Sequence, residues 1–193
     1  MKASNYKLPS PAAMHGKRVG IFGGSFNPPH IGHIHICREA QKYLNLDDVF
    51  WLVTPQNPLK ESSDFLCYDE RLLASAKIAQ PYRFIHVSDF EIRNNFRRSF
   101  DTIQALKRLY PTTEFVFITG MDNAVIFHKW YKWRRILKLV STIHVARPPL
   151  RSSIMNFPLR FVGNQKHVVI NQPGTYNLRP GHSYWLLNTK TYN

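Results

Sequence analysis

An apolar, β-branched run, Val19-Gly20-Ile21-Phe22, leads into Gly23-Gly24-Ser25-Phe26-Asn27-Pro28-Pro29-His30-Ile31-Gly32-His33, and a stretch of helical periodicity leads out of it. That order constrains the fold more than any other part of the chain. The run before the loop has the content of a buried strand. The paired glycines suit a sharp turn where a side chain would meet a bound anion. Pro28-Pro29 cannot extend a strand ladder, and beyond them Ile31, Ile34, Cys37, Gln41 and Leu44 recur at roughly helical spacing. The loop therefore empties into a helix N-terminus, where backbone N–H groups and the positive end of the helix dipole favour an anion. His30 and His33 stand three apart in the first turn, so both rings project toward whatever that end holds.

Further apolar, β-rich stretches near 49–54, 84–87, 115–119, 142–146 and 184–187 mostly alternate with helical segments, which predicts an α/β domain. Asp69 to Ala79, acidic at its start and Ala-rich inside, reads as a helix. A second is read over Ile103 to Leu109, with Asp101 and Thr102 as candidate caps and Pro111 as its stop. Glu114 to Thr119 is the cleanest buried strand, and Gly120-Met121-Asp122-Asn123 follows it at once. In open parallel sheets ligands bind outside the carboxyl ends of strands. This turn, the first loop and Thr54 to Lys60 are therefore expected to converge on one crevice. After Arg147 the chain is rich in Pro and Gly and reads as irregular, apart from Val168-Val169-Ile170 and Tyr184 to Leu187.

Composition bounds the function classes. With 193 residues, 44% hydrophobic and 13% aromatic, the chain can bury a real core as one domain over residues 17–193. No run of eighteen apolar residues offers a membrane span. Residues 1–16 lack an apolar signal core and read as a flexible tail, so the cytoplasm is the expected location. Cys37 and Cys67 fit neither a zinc knuckle nor a disulfide framework and read as reduced packing residues. A formal charge of +14, from 26 Lys+Arg against 12 Asp+Glu, favours anionic partners. The basic residues are spread rather than gathered, which fits a solvated surface as well as a nucleic-acid face.

Neither a Walker A pattern nor G-x-G-x-x-G follows the first strand. The loop instead resembles the signature of the nucleotidyltransferase superfamily, whose (H/T)-x-G-H element, here His30-Ile31-Gly32-His33, binds a nucleoside triphosphate. Within it the chain is similar to the nicotinate-nucleotide adenylyltransferases. Gly23 to His33 looks like their first motif, Pro55 to Lys60 like their second loop, and Gly120-Met121-Asp122 like their G-x-D turn. Phe127 to Tyr131 resembles their F-x-x-W segment, and His144 to Pro148 the strand and Arg-Pro that follow.

The resemblance implies a Rossmann-like, doubly wound parallel sheet. It implies transfer of AMP from ATP to nicotinate mononucleotide, with Mg²⁺ accompanying ATP and with pyrophosphate released. It implies His30 and His33 as the catalytic pair, and Gly23, Gly24, Ser25, Phe26, Gly32, Lys60, Gly120 and Asp122 beside them around ATP. Trp130, Tyr131 and Arg147 are then expected on the nicotinate nucleotide. The family's I-S-x-T-x-x-R element and C-terminal helix have no counterpart before Asn193, and the domain is expected to lack them.

Each assignment has a plainer alternative. His33 reads also as a buried structural histidine, Lys60 as a solvated cation, Asp122 as a helix cap and Trp130 as core. Two histidines three apart suit zinc, but no third ligand is evident, so no metal held by the protein is expected. Asn27 stands where many relatives carry Asp and is given no proton to transfer; His35, His86 and His144 read as packing or surface residues. A phosphopantetheine adenylyltransferase or cytidylyltransferase would share the first motif, although Trp130-Tyr131 suits nicotinate better. The literal H-I-G-H also occurs in class I aminoacyl-tRNA synthetases, but no K-M-S-K-S-like stretch is found, which makes nucleic acid an unfavoured partner. A non-catalytic nucleotide-binding protein, and a homo-oligomer, stay open.

Overall fold

The computed structural model describes residues 6–55, 66–146 and 157–187. Strands β1 (Arg18–Gly24), β2 (Asp48–Val53), β3 (Ile85–Ser88), β4 (Glu114–Gly120), β5 (Ser141–Val145), β6 (Lys166–Val169) and β7 (His182–Leu186) form one sheet in the order β3-β2-β1-β4-β5-β7-β6. Every neighbouring pair is parallel. The expected doubly wound α/β fold is thus the observed one. The helices are α1 (Ile31–Leu44), α2 (Tyr68–Ala79), α3 (Phe90–Arg93), α4 (Ser99–Leu109), α5 (Met121–Ile126) and α6 (Trp133–Leu139).

Alternation along the buried strands sorts the core into two layers. Phe115 and Phe117 of β4 join Ile21, Phe100, Ile103, Leu106, Phe127 and Ile136 on one face. Val116 and Ile118 join Ile34, Cys37, Leu44, Trp51 and Leu72 on the other. Such a period-two division is what a strand covered on both faces requires. Burial of each large side chain contributes about 1.5–3 kcal/mol. Within α1 the apolar stripe is Ile34, Ile36, Cys37, Ala40 and Leu44, whereas Ile31 at the first helical position is exposed. No described helix is long and apolar enough to cross a membrane.

Three expectations change. From Tyr6 onward the segment read as a tail packs on the domain. Met14 is buried in the core, the Tyr110 hydroxyl donates to the Pro9 carbonyl (2.8 Å), and the Thr113 hydroxyl donates to Met14 (2.8 Å). Those partners are about a hundred residues away, so local polarity gives no sign of them. Helix α4 begins at Ser99 with Arg98 at its N-cap and no side-chain cap bond, so Asp101 and Thr102 lie inside its first turns. Cys67, read as a packing residue, is exposed at the N-cap of α2; Val168 and Val169, set apart from the irregular stretch, belong to β6, an edge strand paired with β7.

Candidate active site

The sheet order runs one way from β1 through β2 to β3 and the other way from β4 through β5 to β7, so the switch falls between β1 and β4. At such a point the loops leave the strand ends in opposite directions and open a crevice. Gly24 ends β1 beside Val53 of β2, and Gly120 ends β4 beside Val145 of β5. Gly23 to His33, the chain after Val53, and the start of α5 therefore leave one edge of the sheet.

The turn of the first loop is not made by the glycines, neither of which has a positive φ. It is made by Phe26, whose φ of 47° lies in the left-handed region, and the Asn27–Pro28 peptide is cis. Gly24 is needed for another reason. A Cβ there would stand 3.1 Å from the Phe26 ring, which folds back over it. That ring is 3% exposed and packs on Phe22 and Trp51, with centroids 5.2 and 4.5 Å away. Phe26 therefore supports the loop from beneath, and its side chain does not line the crevice.

His30 is the N-cap of α1 and His33 its third residue, and each ring serves the other's backbone. The Gly32 N–H donates to His30 Nδ1 (3.1 Å), and the His30 N–H donates to His33 Nδ1 (3.1 Å). With both Nδ1 atoms accepting, the proton of each neutral ring sits on Nε2. The centroids are 3.9 Å apart, and the edge of His33 rests on Phe26 at 5.1 Å. The pair is thus set in orientation and tautomer by α1 itself, as a helix cap made of two histidines.

Gly120 is the N-cap of α5 and Asp122 its second residue. A Cβ on Gly120 would fall 2.4 Å from Asp122 Oδ1. The exposed carboxylate lies back against the end of β4 because residue 120 has no side chain, and the capping position belongs to Gly120. Trp130 is half-buried, with Phe127 at 5.2 Å and Phe117 at 6.0 Å. One part of the ring is core, as the plainer alternative had it. Tyr131 is 42% exposed, with the Arg98 guanidinium 4.1 Å and the Lys132 ammonium 4.7 Å from its ring centroid. The histidines belong to the α1 side of the sheet and Trp130 and Tyr131 to the α4–α6 side, with Gly120 and Asp122 at the edge between. Lys60 and Arg147 lie outside the described residues.

Sequence reasoning missed two groups beside the loop. Asn27 Oδ1 accepts from the Leu66 N–H (3.0 Å), which ties the first loop to the chain just before α2. Arg71 of α2 is 3% exposed, and its guanidinium donates to the carbonyls of Ser25 (2.6 Å), Thr54 (2.9 Å), Pro55 (2.6 Å) and Leu66 (3.3 Å). Burial pulls its pKa below the usual arginine value. The signal was present: Arg71, Leu72, Ser75 and Ala79 share the buried stripe of α2, and a cation on such a stripe asks for partners.

His144 on β5 is fully buried, with Thr119 Oγ1 2.6 Å from Nδ1 and Thr142 Oγ1 3.1 Å from Nε2. Burial, then the charge of His167, holds its pKa down at about 3, so it stays neutral and acts as packing. His86, read likewise, sits 2.6 Å from Asp48.

A cytidylyltransferase-like family model matches residues 21–186. A Ruegeria pomeroyi protein named probable nicotinate-nucleotide adenylyltransferase is 42% identical over 148 residues, 77% of this chain and 68% of that protein. A relative of the same name from a second Ruegeria is 44% identical over 135 residues, 70% of each chain. The chain belongs to the nicotinate-nucleotide adenylyltransferase family. A Plasmodium falciparum nicotinic acid mononucleotide adenylyltransferase complexed with NaAD superposes with a TM-score of 0.61 at 17% identity, covering 71% of this chain and 68% of that one. At that identity the likeness bears on the fold, which is that of this enzyme family.

Proposed function

We propose that this chain transfers the adenylyl group of ATP to nicotinate mononucleotide, giving the deamido dinucleotide and pyrophosphate. The observation that carries the reading is the His30–His33 pair, held in one tautomer by the backbone of α1 at the switch point of the sheet. The phosphate oxygen of the mononucleotide attacks the α-phosphorus of ATP. The bond from that phosphorus to the oxygen bridging the β-phosphorus breaks, and its electron pair leaves with pyrophosphate. No covalent enzyme intermediate is needed. The work is positioning, together with donors aimed where negative charge accumulates.

The Nε2 protons of His30 and His33 supply two such donors, and the N-terminus of α1 adds its dipole. Gly23, Gly24, Ser25 and Gly32 let the backbone meet the phosphates, with Lys60 as a further cation. Asp122 is read as accepting from a ribose hydroxyl next to Gly120. The exposed part of Trp130 is read as stacking on the nicotinate ring, with Tyr131 and Arg147 toward its carboxylate. Among the described residues no cluster of three His, Cys, Asp or Glu could hold a metal. Mg²⁺ is read as entering on the triphosphate, neutralising its charge, as that ion commonly does. The reaction is read as cytoplasmic.

The test is a pyrophosphate-release assay with ATP and Mg²⁺ and, in parallel, nicotinate mononucleotide, nicotinamide mononucleotide and phosphopantetheine. Release dependent on nicotinate mononucleotide is expected. Release only with phosphopantetheine, or with none of the three, would refute the reading.

A further inference from the structure

Arg71 stands apart among the buried groups that the proposed chemistry does not use. It is 3% exposed, and four main-chain carbonyls surround its guanidinium. Among the described residues it forms no ion pair. A buried cation normally pairs with an acid, because its desolvation is costly. Here four N–H groups of the guanidinium have carbonyl partners, and no carboxylate among the described residues pairs with the charge. The Tyr68 ring, 5.4 Å from the guanidinium carbon, adds only a quadrupole.

The carbonyls are not a random set. Ser25 belongs to the loop between β1 and α1, Thr54 and Pro55 follow β2, and Leu66 precedes α2. One side chain ties together all three pieces of chain that meet on this side of the switch point. Neighbouring bonds reinforce the tie: the Thr54 N–H donates to the Gly24 carbonyl (2.9 Å), and the Leu66 N–H donates to Asn27 Oδ1.

Peptide geometry gives the Ser25 bond a further consequence. In a trans peptide the C=O and the next N–H point in opposite directions. Arg71 draws the Ser25 carbonyl inward, so the Phe26 N–H is turned outward, on the side of the loop away from α2.

We propose that Arg71 is a positioning residue for the triphosphate of ATP. It fixes the peptide plane of Ser25–Phe26 so that the N–H faces the anion, and it places a buried positive charge behind the loop. Charge and fork geometry are both required. Lysine would keep the first and lose most of the second, and methionine would lose both.

This role rests on the phosphate site proposed above, so the wild-type chain is assayed first. A wild type that neither binds ATP nor releases pyrophosphate refutes the function itself. Given an active wild type, Arg71→Met and Arg71→Lys are compared by KM for ATP, KM for nicotinate mononucleotide, and circular dichroism. Arg71→Met is expected to raise the KM for ATP about tenfold or more, with the KM for the mononucleotide within about twofold. Arg71→Lys is expected to fall between it and the wild type. If Arg71→Met does not fold, Arg71→Lys carries the same comparison. An unchanged KM for ATP in a folded variant, equal rises in both KM values, or failure of both variants to fold would each make Arg71 a purely structural residue and overturn the proposal.

Discussion

Glu91 lies in the short helix α3, 3% exposed, where Oε1 accepts from the Thr102 hydroxyl of α4 at 2.7 Å. Burial pushes its pKa up from the ordinary carboxyl value of 4.5 to about 7, against the opposing effect of that hydrogen bond. In the unfolded chain the carboxyl ionises near its ordinary value, while in the folded chain it keeps its proton. Stability contributed by the protonated form is therefore complete below about pH 4.5 and is lost as the pH rises through about 7. A rise of that size corresponds to about 3 kcal/mol.

Glu91→Gln imitates the protonated side chain and keeps an oxygen for Thr102. Relative to the wild type, it is expected to be about 3 kcal/mol more stabilising at about pH 8 than at about pH 4. For a chain of this length that corresponds to a shift of about 6–12 °C in Tm. The assay is urea or thermal unfolding of both proteins at the two pH values. Other titrating groups cancel in the difference of differences. A stability difference that is the same at both pH values would refute the reasoning. The site is relevant to function because Thr102 also reaches the Arg98 carbonyl at 3.3 Å, so this joint carries the turn that sets Arg98 over Tyr131.

His33→Ala should lower the rate of adenylyl transfer by on the order of a hundredfold, as for loss of one preorganised donor. Because Nδ1 of His33 also receives the His30 N–H, the KM for ATP should rise as well. Steady-state kinetics check both, and a rate within a factor of about two of wild type would exclude His33 from the chemistry. Trp130→Ala should raise the KM for nicotinate mononucleotide more than that for ATP. The same change should cost about 1–3 kcal/mol of stability, since part of the ring packs on Phe117 and Phe127. A stability loss with equal shifts in both KM values would make it core alone.

Much of the layout was legible because it is written locally. Six strands stand out as short β-rich runs, and His30 and His33 declare themselves by spacing at a helix start. What was not legible depends on contacts distant in sequence. Nothing near Gly24 shows that the Phe26 ring lies over it, so the glycine was credited with a turn that Phe26 makes. Residues 6–16 look like a tail until Tyr110 and Thr113 are seen to bind them. Arg71 was visible as a cation on an apolar stripe, yet its carbonyl partners come from three segments that only the fold assembles. Part of the Trp130 ring packs on Phe117 and Phe127, and periodicity cannot tell a ring half in the core from one at its rim.

The proposed reaction is defined by which bond of ATP breaks and where the adenylyl group goes. ATP labelled at the α-phosphorus, incubated with the chain, Mg²⁺ and nicotinate mononucleotide, is expected to pass its label into the nicotinate dinucleotide, while label at the γ-phosphorus appears in pyrophosphate. Label recovered as AMP or left in ATP, with none in the dinucleotide, would contradict the account.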